Sequence, residues 1–391
     1  MSEKNKYPKL YVKNFAKIKE AEIELSPFTL FVGDNNSGKS YLMTLIYHLF
    51  KYYDKIIDII FKDEKIVEEL EEYKKAKNIV DNYIKTLDFD EHLDMSIEEF
   101  NIFIDLFNAL LNKYSNEVIN YIFNSNNEII LEYIKLKLNH NNFSFRKFKS
   151  KKANDDTEFY YFGIKGINIG MGIGLSENKL IYTSDVEIVK NIIDFILDKS
   201  FEIFYKLFGI SKVFLPVSRT GFLLSRNDIS ASARASKYDR YAEKNNQYLS
   251  RPIMDFLDNF DELSKQKNDI EHMTKKLYLM LDFIEKNMLF GKIMINEETK
   301  NIYYKPDNTE LEFQMYLSSA VVTELTPLYL FLKYGFIKRK LLMEEPEISL
   351  HPKLQQQLTR LFIKLINSGI NVMITTHSDI IIQHINNMIK L

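Results

Sequence analysis

Eight consecutive residues carry the most specific chemistry in the chain: Gly33, Asp34, Asn35, Asn36, Ser37, Gly38, Lys39 and Ser40. They fill every fixed position of the phosphate-loop pattern G-x-x-x-x-G-K-[ST]. Glycine lets the backbone curl until successive N–H groups face one anion, and a helix starting at the end of the loop adds its positive dipole. Lys39 is expected to reach the β- and γ-phosphates of a nucleotide, and the Ser40 hydroxyl to bind Mg²⁺.

A second set lies near the other end, where Lys340–Pro352 reads KLLMEEPEISLHP. Glu344 is the natural acidic partner of a Mg²⁺ shell, and Glu345 is placed to orient or deprotonate an attacking water. Adjacent residues on a strand point to opposite sides, so the two carboxylates cannot share one role. Thr375-Thr376-His377-Ser378-Asp379 closes the next strand. A lone histidine is more often structural, but its place beside the Glu345 strand makes His377 a γ-phosphate contact. Ser318 and Ser319 precede an apolar helix. They either cap it or present its N-terminus to a nucleotide, and sequence position does not choose.

The elements that must hold these residues are legible. Phe28–Val32 is a short apolar run of strand type, and Tyr41–Phe50 reads YLMTLIYHLF, a buried helix running from Lys39 to about Tyr52. LYVKNF and KEAEIEL precede the loop, so residues 9–32 read as a strand meander. Leu341–Met343 reads as a strand that delivers the acidic pair at its C-terminal end, where open α/β sheets bind ligands. Pro352 opens a helix with Leu354, Leu358, Leu361, Phe362, Leu365 and Ile366 on one face. Gly369 stops it, and the strand Ile370–Ile374 completes a strand–helix–strand unit of about 30 residues, the length of a parallel crossover.

Between the two sets the chain changes character. Residues 51–138 read as charged helices, with a capping box at Ser96 and Glu99 and an apolar stripe at Phe100, Phe103, Ile104, Phe107, Leu110 and Leu111. Residues 142–183 turn to strand character, a hairpin-rich edge whose glycines carry no phosphate site. The basic run from Arg146 to Lys152 is read as a solvated loop, with nucleic-acid contact as the lesser reading. Val186–Phe208 is again helical. Val213–Gly221 reads as a strand ending in a Pro-punctuated loop that carries Arg219, and the polar tract after it as an exposed or mobile loop. Helices follow to about Leu289, then a hairpin at KIMINEETKNIYYK.

Composition sets outer bounds. The 391 residues are 46% hydrophobic, enough for a sizeable core. A formal net charge of −2 gives no global basic field for nucleic acid. The absence of cysteine excludes disulfides and thiolate metal sites. The polar MSEKNKYPK start lacks a signal-peptide core, and no apolar run is long enough for a bilayer, so a cytoplasmic protein without membrane partners is expected.

Taken as a set, GDNNSGKS, YLSSA, LLMEEPEISLHP and TTHSD occur in the order of an ABC-type ATPase head. The wording resembles AAA-type ATPases of the overcoming-lysogenization-defect kind, which are similar to chromosome-maintenance and recombination ATPases. LYVKNFAKIKEAEIEL and LPVSRTG resemble further stretches of that subgroup. The resemblance implies an α/β phosphate-loop head with a mixed sheet. Residues 1–50 and 210–391 would form it, interrupted at 51–209 by a mainly helical insertion with the strand-rich segment near 142–183. It also implies ATP and Mg²⁺ as cofactors, Glu345 as catalytic carboxylate, His377 as switch histidine, and Glu344 with Ser40 at the metal. Ser318, helped by Ser319, would contact the γ-phosphate bound to a second head, so the partner is a homodimer or higher oligomer through ATP-bound heads.

Three departures stand out: Ala320 where a glycine is usual, Glu344 where many heads have aspartate, and a sequence ending 14 residues after His377 where relatives usually continue. Members of the subgroup often occur in antiphage systems beside a separate nuclease or toxin. The resemblance therefore implies a defence sensor or regulator controlling such an effector. A repair or chromosome-maintenance ATPase acting on DNA and a nucleotide-binding scaffold with little turnover are the other readings.

Overall fold

The computed structural model describes residues 7–86, 92–125, 128–137, 143–152, 155–164, 167–176, 193–194, 196–197, 213–238, 249–263, 275–296 and 298–389. In chain order the elements begin with β1 (Lys9–Phe15), β2 (Ile18–Glu24), β3 (Phe28–Val32) and α1 (Lys39–Lys51). Next come α2 (Tyr53–Ile60), α3 (Glu64–Glu69), α4 (Glu71–Thr86), β4 (His92–Asp94), α5 (Ile97–Lys113), α6 (Ser115–Phe123) and β5 (Leu131–Lys137). β6 (Phe143–Lys152), β7 (Asp155–Ile164), β8 (Ile167–Ser176), β9 (Phe214–Leu215), α7 (Arg219–Tyr238), α8 (Arg251–Leu263) and α9 (Lys275–Ile284) follow. The last are β10 (Gly291–Ile295), β11 (Ile302–Pro306), β12 (Phe313–Gln314), α10 (Ala320–Lys333), β13 (Lys340–Glu344), α11 (Pro352–Asn367), β14 (Asn371–Thr376) and α12 (Asp379–Ile389). Two compact units result: Met1–Leu25 with Tyr53–Val118 and Ile130–Leu207, and Ser26–Tyr52 with Ile119–Ile129 and Phe208–Leu391.

In the first unit, β1 is the middle strand of the antiparallel sheet β2–β1–β5. The capping box forms at α5: Ser96 Oγ accepts from the Glu99 N–H at 3.1 Å, and Glu99 Oε2 accepts from the Ser96 N–H at 2.8 Å. The whole stripe from Phe100 to Leu111 is buried, as its spacing requires. β5 falls where a helix was expected, because Leu131 and Ile134 stand three apart and imitate helical spacing.

Pairing decides in favour of the strand. Val12 stands opposite Ile134 on one side. On the other, Asn108 and Asn112 of α5 act as a substitute strand. Asn108 Nδ2 donates to Leu136 O at 2.9 Å and its Oδ1 accepts from Leu136 N at 2.8 Å. Asn112 does the same to Ile134 at 2.7 and 2.8 Å. Four residues of helix advance about 6 Å and two of strand about 6.7 Å, so the two amides meet alternate peptides of β5.

β4, β6, β7 and β8 form an antiparallel sheet in that order. The hairpin-rich edge expected over 142–183 is thus present over its described part, while 177–183 lies outside the described residues. The run from Arg146 to Lys152 is not a loop but part of β6. Lys149, Lys151 and Lys152 take register positions opposite Glu158, Asp156 and Asp155 of β7. Of Val186–Phe208, the four described residues are helical.

In the second unit, β3, β14, β13 and β9 lie side by side, all parallel. β3 is therefore not the third strand of a meander with β1 and β2. β3 instead pairs with β14 at the edge of the parallel sheet, with Thr29 buried and Val32 exposed. All five residues of β13 are buried. Pro352 occupies the first turn of α11, and Leu358, Leu361, Phe362 and Leu365 are fully buried, each contributing on the order of 2 kcal/mol. Gly369, at φ 87°, ends that helix before β14.

The expected hairpin is β10–β11. Gly291 is required there, since a Cβ would strike the Lys305 carbonyl. The polar tract after Gly221 is helical as far as Tyr238 rather than a loop. No glycine or proline interrupts 222–238, and Leu223 is anchored in the core. Residues 239–247 lie outside the described residues.

The rear of α1 is fixed by buried charge. Asp255 of α8 accepts from Lys51 Nζ at 2.9 Å and from the Tyr52 hydroxyl, and lies 3.6 Å from His48 Nε2. Burial pushes the Asp255 carboxyl up, but the neighbouring His48 ring, the Lys51 charge and the Tyr52 hydroxyl together hold it below its ordinary range.

Replacing Asn108 by Ala leaves the Leu136 N–H and C=O unpaired in a buried place. The expected cost is about 2 kcal/mol, equivalent to roughly 30-fold faster exchange of the Leu136 amide. Unchanged exchange at that amide would show that the helix does not serve as the missing strand.

Candidate active site

Parallel pairing puts the C-termini of β3, β14, β13 and β9 on one edge of their sheet. β3 ends at Val32 and enters the loop Gly33–Ser40; β14 ends at Thr376 and presents His377; β13 ends at Glu344 and presents Glu345. Val32 is in register with Thr376, and Thr375 with Glu344, so the strand before His377 lies between the other two, about 5 Å from each.

The loop has the curl its glycines permit, with Asn36 at φ 63° and Gly38 at φ 100°. No side chain caps the N-terminus of α1, which leaves its first amides to the loop's concave side. Lys39 Nζ donates to Gly33 O at 2.8 Å, to Asp34 O at 2.7 Å and to Ser37 Oγ at 3.3 Å. The ammonium is thereby held over the loop where an anion's oxygens would replace those carbonyls. Asp34, Asn35, Asn36, Ser37 and Ser40 are exposed.

The two carboxylates diverge as adjacent strand residues must. Glu344 is 6% exposed. It accepts from the Val217 N–H at 3.2 Å and from the Ser40 hydroxyl, while its Oε1 is buried without a hydrogen-bond partner. Burial pushes this carboxyl above its ordinary range, only partly offset by those two donors. A buried, unpartnered carboxylate oxygen beside a serine hydroxyl fits a hard cation that takes its other ligands from phosphate and water. Among the described residues no group of three or more His, Asp or Glu could hold a metal alone.

Glu345 faces the other way. Its backbone sits at φ 39°, a region costing a non-glycine residue on the order of 1 kcal/mol. Its N–H donates to Thr375 O at 3.0 Å and to Thr375 Oγ1 at 3.2 Å. Its Oε1 lies 3.3 Å from His377 Nε2, both side chains being 28% exposed and so open to solvent and ligand. The histidine is oriented by a residue that sequence reasoning missed. Glu347 Oε1 accepts from the His377 N–H at 2.6 Å and from the Thr376 hydroxyl at 2.8 Å. Its signal was a third acid two residues past Glu345.

Arg219 was noticed and given no role. It is fully buried, donating from Nη1 to Pro216 O at 3.0 Å and Glu344 O at 2.7 Å, and from Nη2 to Glu345 O at 3.2 Å. It also pairs with the buried carboxylate of Glu324 in α10, which accepts from the Thr220 hydroxyl as well.

Ser318 and Ser319 stand apart from this cluster. Ser319 caps α10, its Oγ accepting from Val322 N at 3.4 Å, and Ser318 Oγ donates to Gln314 O at 3.3 Å. Among the described residues neither is hydrogen-bonded to the phosphate loop or the acidic pair. Tyr316 and Leu317 beside them are exposed.

A glycine-rich loop between a parallel strand and a helix, with an acidic strand end behind its serine, defines a phosphate-loop nucleoside triphosphatase fold. The chain belongs to the AAA ATPase domain family, whose model matches residues 7–382. No curated protein matches it. Among solved structures it is similar to an SMC head bound to the C-terminal winged-helix domain of ScpA, at 15% identity over 97% of this chain and 92% of that one, with a TM-score of 0.37. The SMC head domain from Thermotoga maritima gives 12% identity, 96% and 90% coverage and a TM-score of 0.32. A head with an extended coiled coil bound to the C-terminal domain of ScpA from Pyrococcus furiosus gives 14%, 96% and 92%, and 0.38. No helix among the described residues is long and apolar enough to cross a membrane.

Glu344→Gln is expected to stabilise the nucleotide-free protein. The folded pKa is raised, so ionisation destabilises the fold once pH passes the unfolded carboxylate value near about 4.3, and the amide removes that cost. The gain in melting temperature should be larger at pH 8 than at pH 5, with Mg²⁺-dependent nucleotide affinity falling. A loss of stability at both pH values would contradict the burial argument.

Proposed function

We propose that the chain binds ATP with Mg²⁺ and hydrolyses it to ADP and phosphate at the edge formed by β3, β14 and β13. The observation that carries this reading is the 3.3 Å contact between Glu345 Oε1 and His377 Nε2 on the strand ends beside the phosphate loop. The amides of Gly33, Asp34, Asn35, Asn36, Ser37 and Gly38 wrap the phosphates, and Lys39 exchanges its loop carbonyls for β- and γ-oxygens. Ser40 and Glu344 would hold Mg²⁺, which when bound would supply positive charge beside the phosphates. Glu345 takes a proton from the attacking water or orients it, and His377 donates to the γ-phosphate.

The site is completed by a second copy. Ser318 and Ser319 open α10 on an exposed surface and reach nothing in their own site, which supports contact with a nucleotide held by another head. In cells we infer a cytoplasmic defence regulator whose ATP-dependent assembly controls a separate nuclease or toxin. The motif wording of the four conserved-looking stretches supports that reading.

Steady-state ATP turnover of the wild type beside Lys39→Ala and Glu345→Gln tests the site. Lys39→Ala should abolish nucleotide binding. Glu345→Gln should keep binding, lose at least about 100-fold in kcat, and accumulate as an ATP-bound dimer by light scattering. A Glu345→Gln protein that stays monomeric in saturating ATP would refute the shared-site reading. Stimulation of turnover by DNA would favour the chromosome-maintenance role over the defence role.

A further inference from the structure

Arg219 takes no part in the chemistry above, yet it is the largest fully buried side chain among the described residues. It makes three hydrogen bonds to peptide carbonyls and one ion pair, all within the second unit. The partners come from three segments. Pro216 closes the β9 strand; Glu344 and Glu345 are the acidic turn itself; Glu324 lies four residues into the helix that begins after Ser319. Thr220 adds a second donor to Glu324.

A pair of buried charges is a poor way to stabilise a core, since apolar residues of similar volume often do as well or better. The fork does something apolar residues cannot: it fixes the orientation of two successive peptides. Those are the peptides that set where Glu344 and Glu345 point. The peptide nitrogen of Glu345 is held by Thr375 and its carbonyl oxygen by Arg219, which keeps the residue at φ 39°. Movement of that turn therefore pulls on the guanidinium, and the guanidinium pulls on Glu324.

We propose that Arg219 is a positioning residue that couples the Glu345 turn to α10, so that the state of one copy's nucleotide site sets the pose of the Ser318–Ser319 face it offers to a second copy. This rests on the ATPase reading above and adds the link between its two halves.

The test uses Arg219→Met combined with Glu324→Leu, which removes both charges at similar volume, and Arg219→Lys, which keeps the charge but not the fork. Melting temperature establishes folding. Hydrogen exchange is then followed with and without ATP·Mg²⁺ on protein diluted to the monomer, so that contacts from a second copy do not enter. In the wild type, nucleotide should slow exchange both at 33–45 and at 320–326, the latter by at least about threefold. In both variants the effect should remain at 33–45 and vanish at 320–326. Turnover should drop about 100-fold with KM nearly unchanged, the mark of a misplaced group rather than lost binding.

Coupling that survives in a folded variant, or a wild type whose 320–326 segment ignores nucleotide, would overturn the proposal. A wild type that binds ATP without hydrolysing it would sink the hydrolysis reading alone, since the exchange measurement still decides whether the link exists.

Discussion

The parallel pairing of β14 with β3 on one side and β13 on the other is the constraint on which the site depends. Parallel strands share a direction, so whatever follows each of them emerges at the same edge. Residues more than 300 positions apart in the chain thereby become neighbours: the phosphate loop after Val32, the histidine after Thr376 and the carboxylate after Glu344. The strands themselves carry almost no chemistry. Their work is to be in register, with β13 and most of β14 buried, and a slip of one residue would move Glu344 to the other face.

Burial then divides labour between two adjacent carboxylates. Glu344 is sealed against Val217 and Ser40, where an ionised group is costly unless a cation or donors meet it. Glu345 is left partly open beside His377, where a water and a phosphate can enter. The difference is produced by strand alternation followed by a left-handed backbone at Glu345, and that backbone is held by hydrogen bonds from both neighbouring segments. Strain at this position is thus overdetermined by its surroundings, which is the condition under which such conformations persist.

Much of this was legible in the sequence because the informative features are local. A glycine-rich loop between an apolar run and a helix, two acids ending a strand, and a Pro-initiated, Gly-terminated helix joining two strands each declare themselves within about 30 residues. What failed was partner choice. FTLFV is plainly a strand, but nothing within it tells β14, 340 residues on, from β2 next door. LEYIKLK reads equally as helix until Asn108 and Asn112 are seen to occupy its free edge. The lysine-rich β6 looks like a solvated loop until acids appear opposite it in β7. Arg219 and Glu347 escaped assignment for the same reason, because their meaning lies in carbonyls and amides contributed by other strands.

The division of the site follows from geometry as well. Sheet order gathers the phosphate loop, Glu344, Glu345 and His377, because these all sit at or just past strand ends. It cannot deliver Ser318 and Ser319, which open a helix and cap its own N-terminus. Ser319 meets that helix start's need within its own chain, whereas the start of α1 has no side-chain cap and opens onto the phosphate loop. The buried Arg219–Glu324 pair connects these two places, running from the peptide of Glu345 to the second turn of α10. Under the proposed two-copy reading, that connection is what lets nucleotide at the strand ends bear on the helix a second copy would meet.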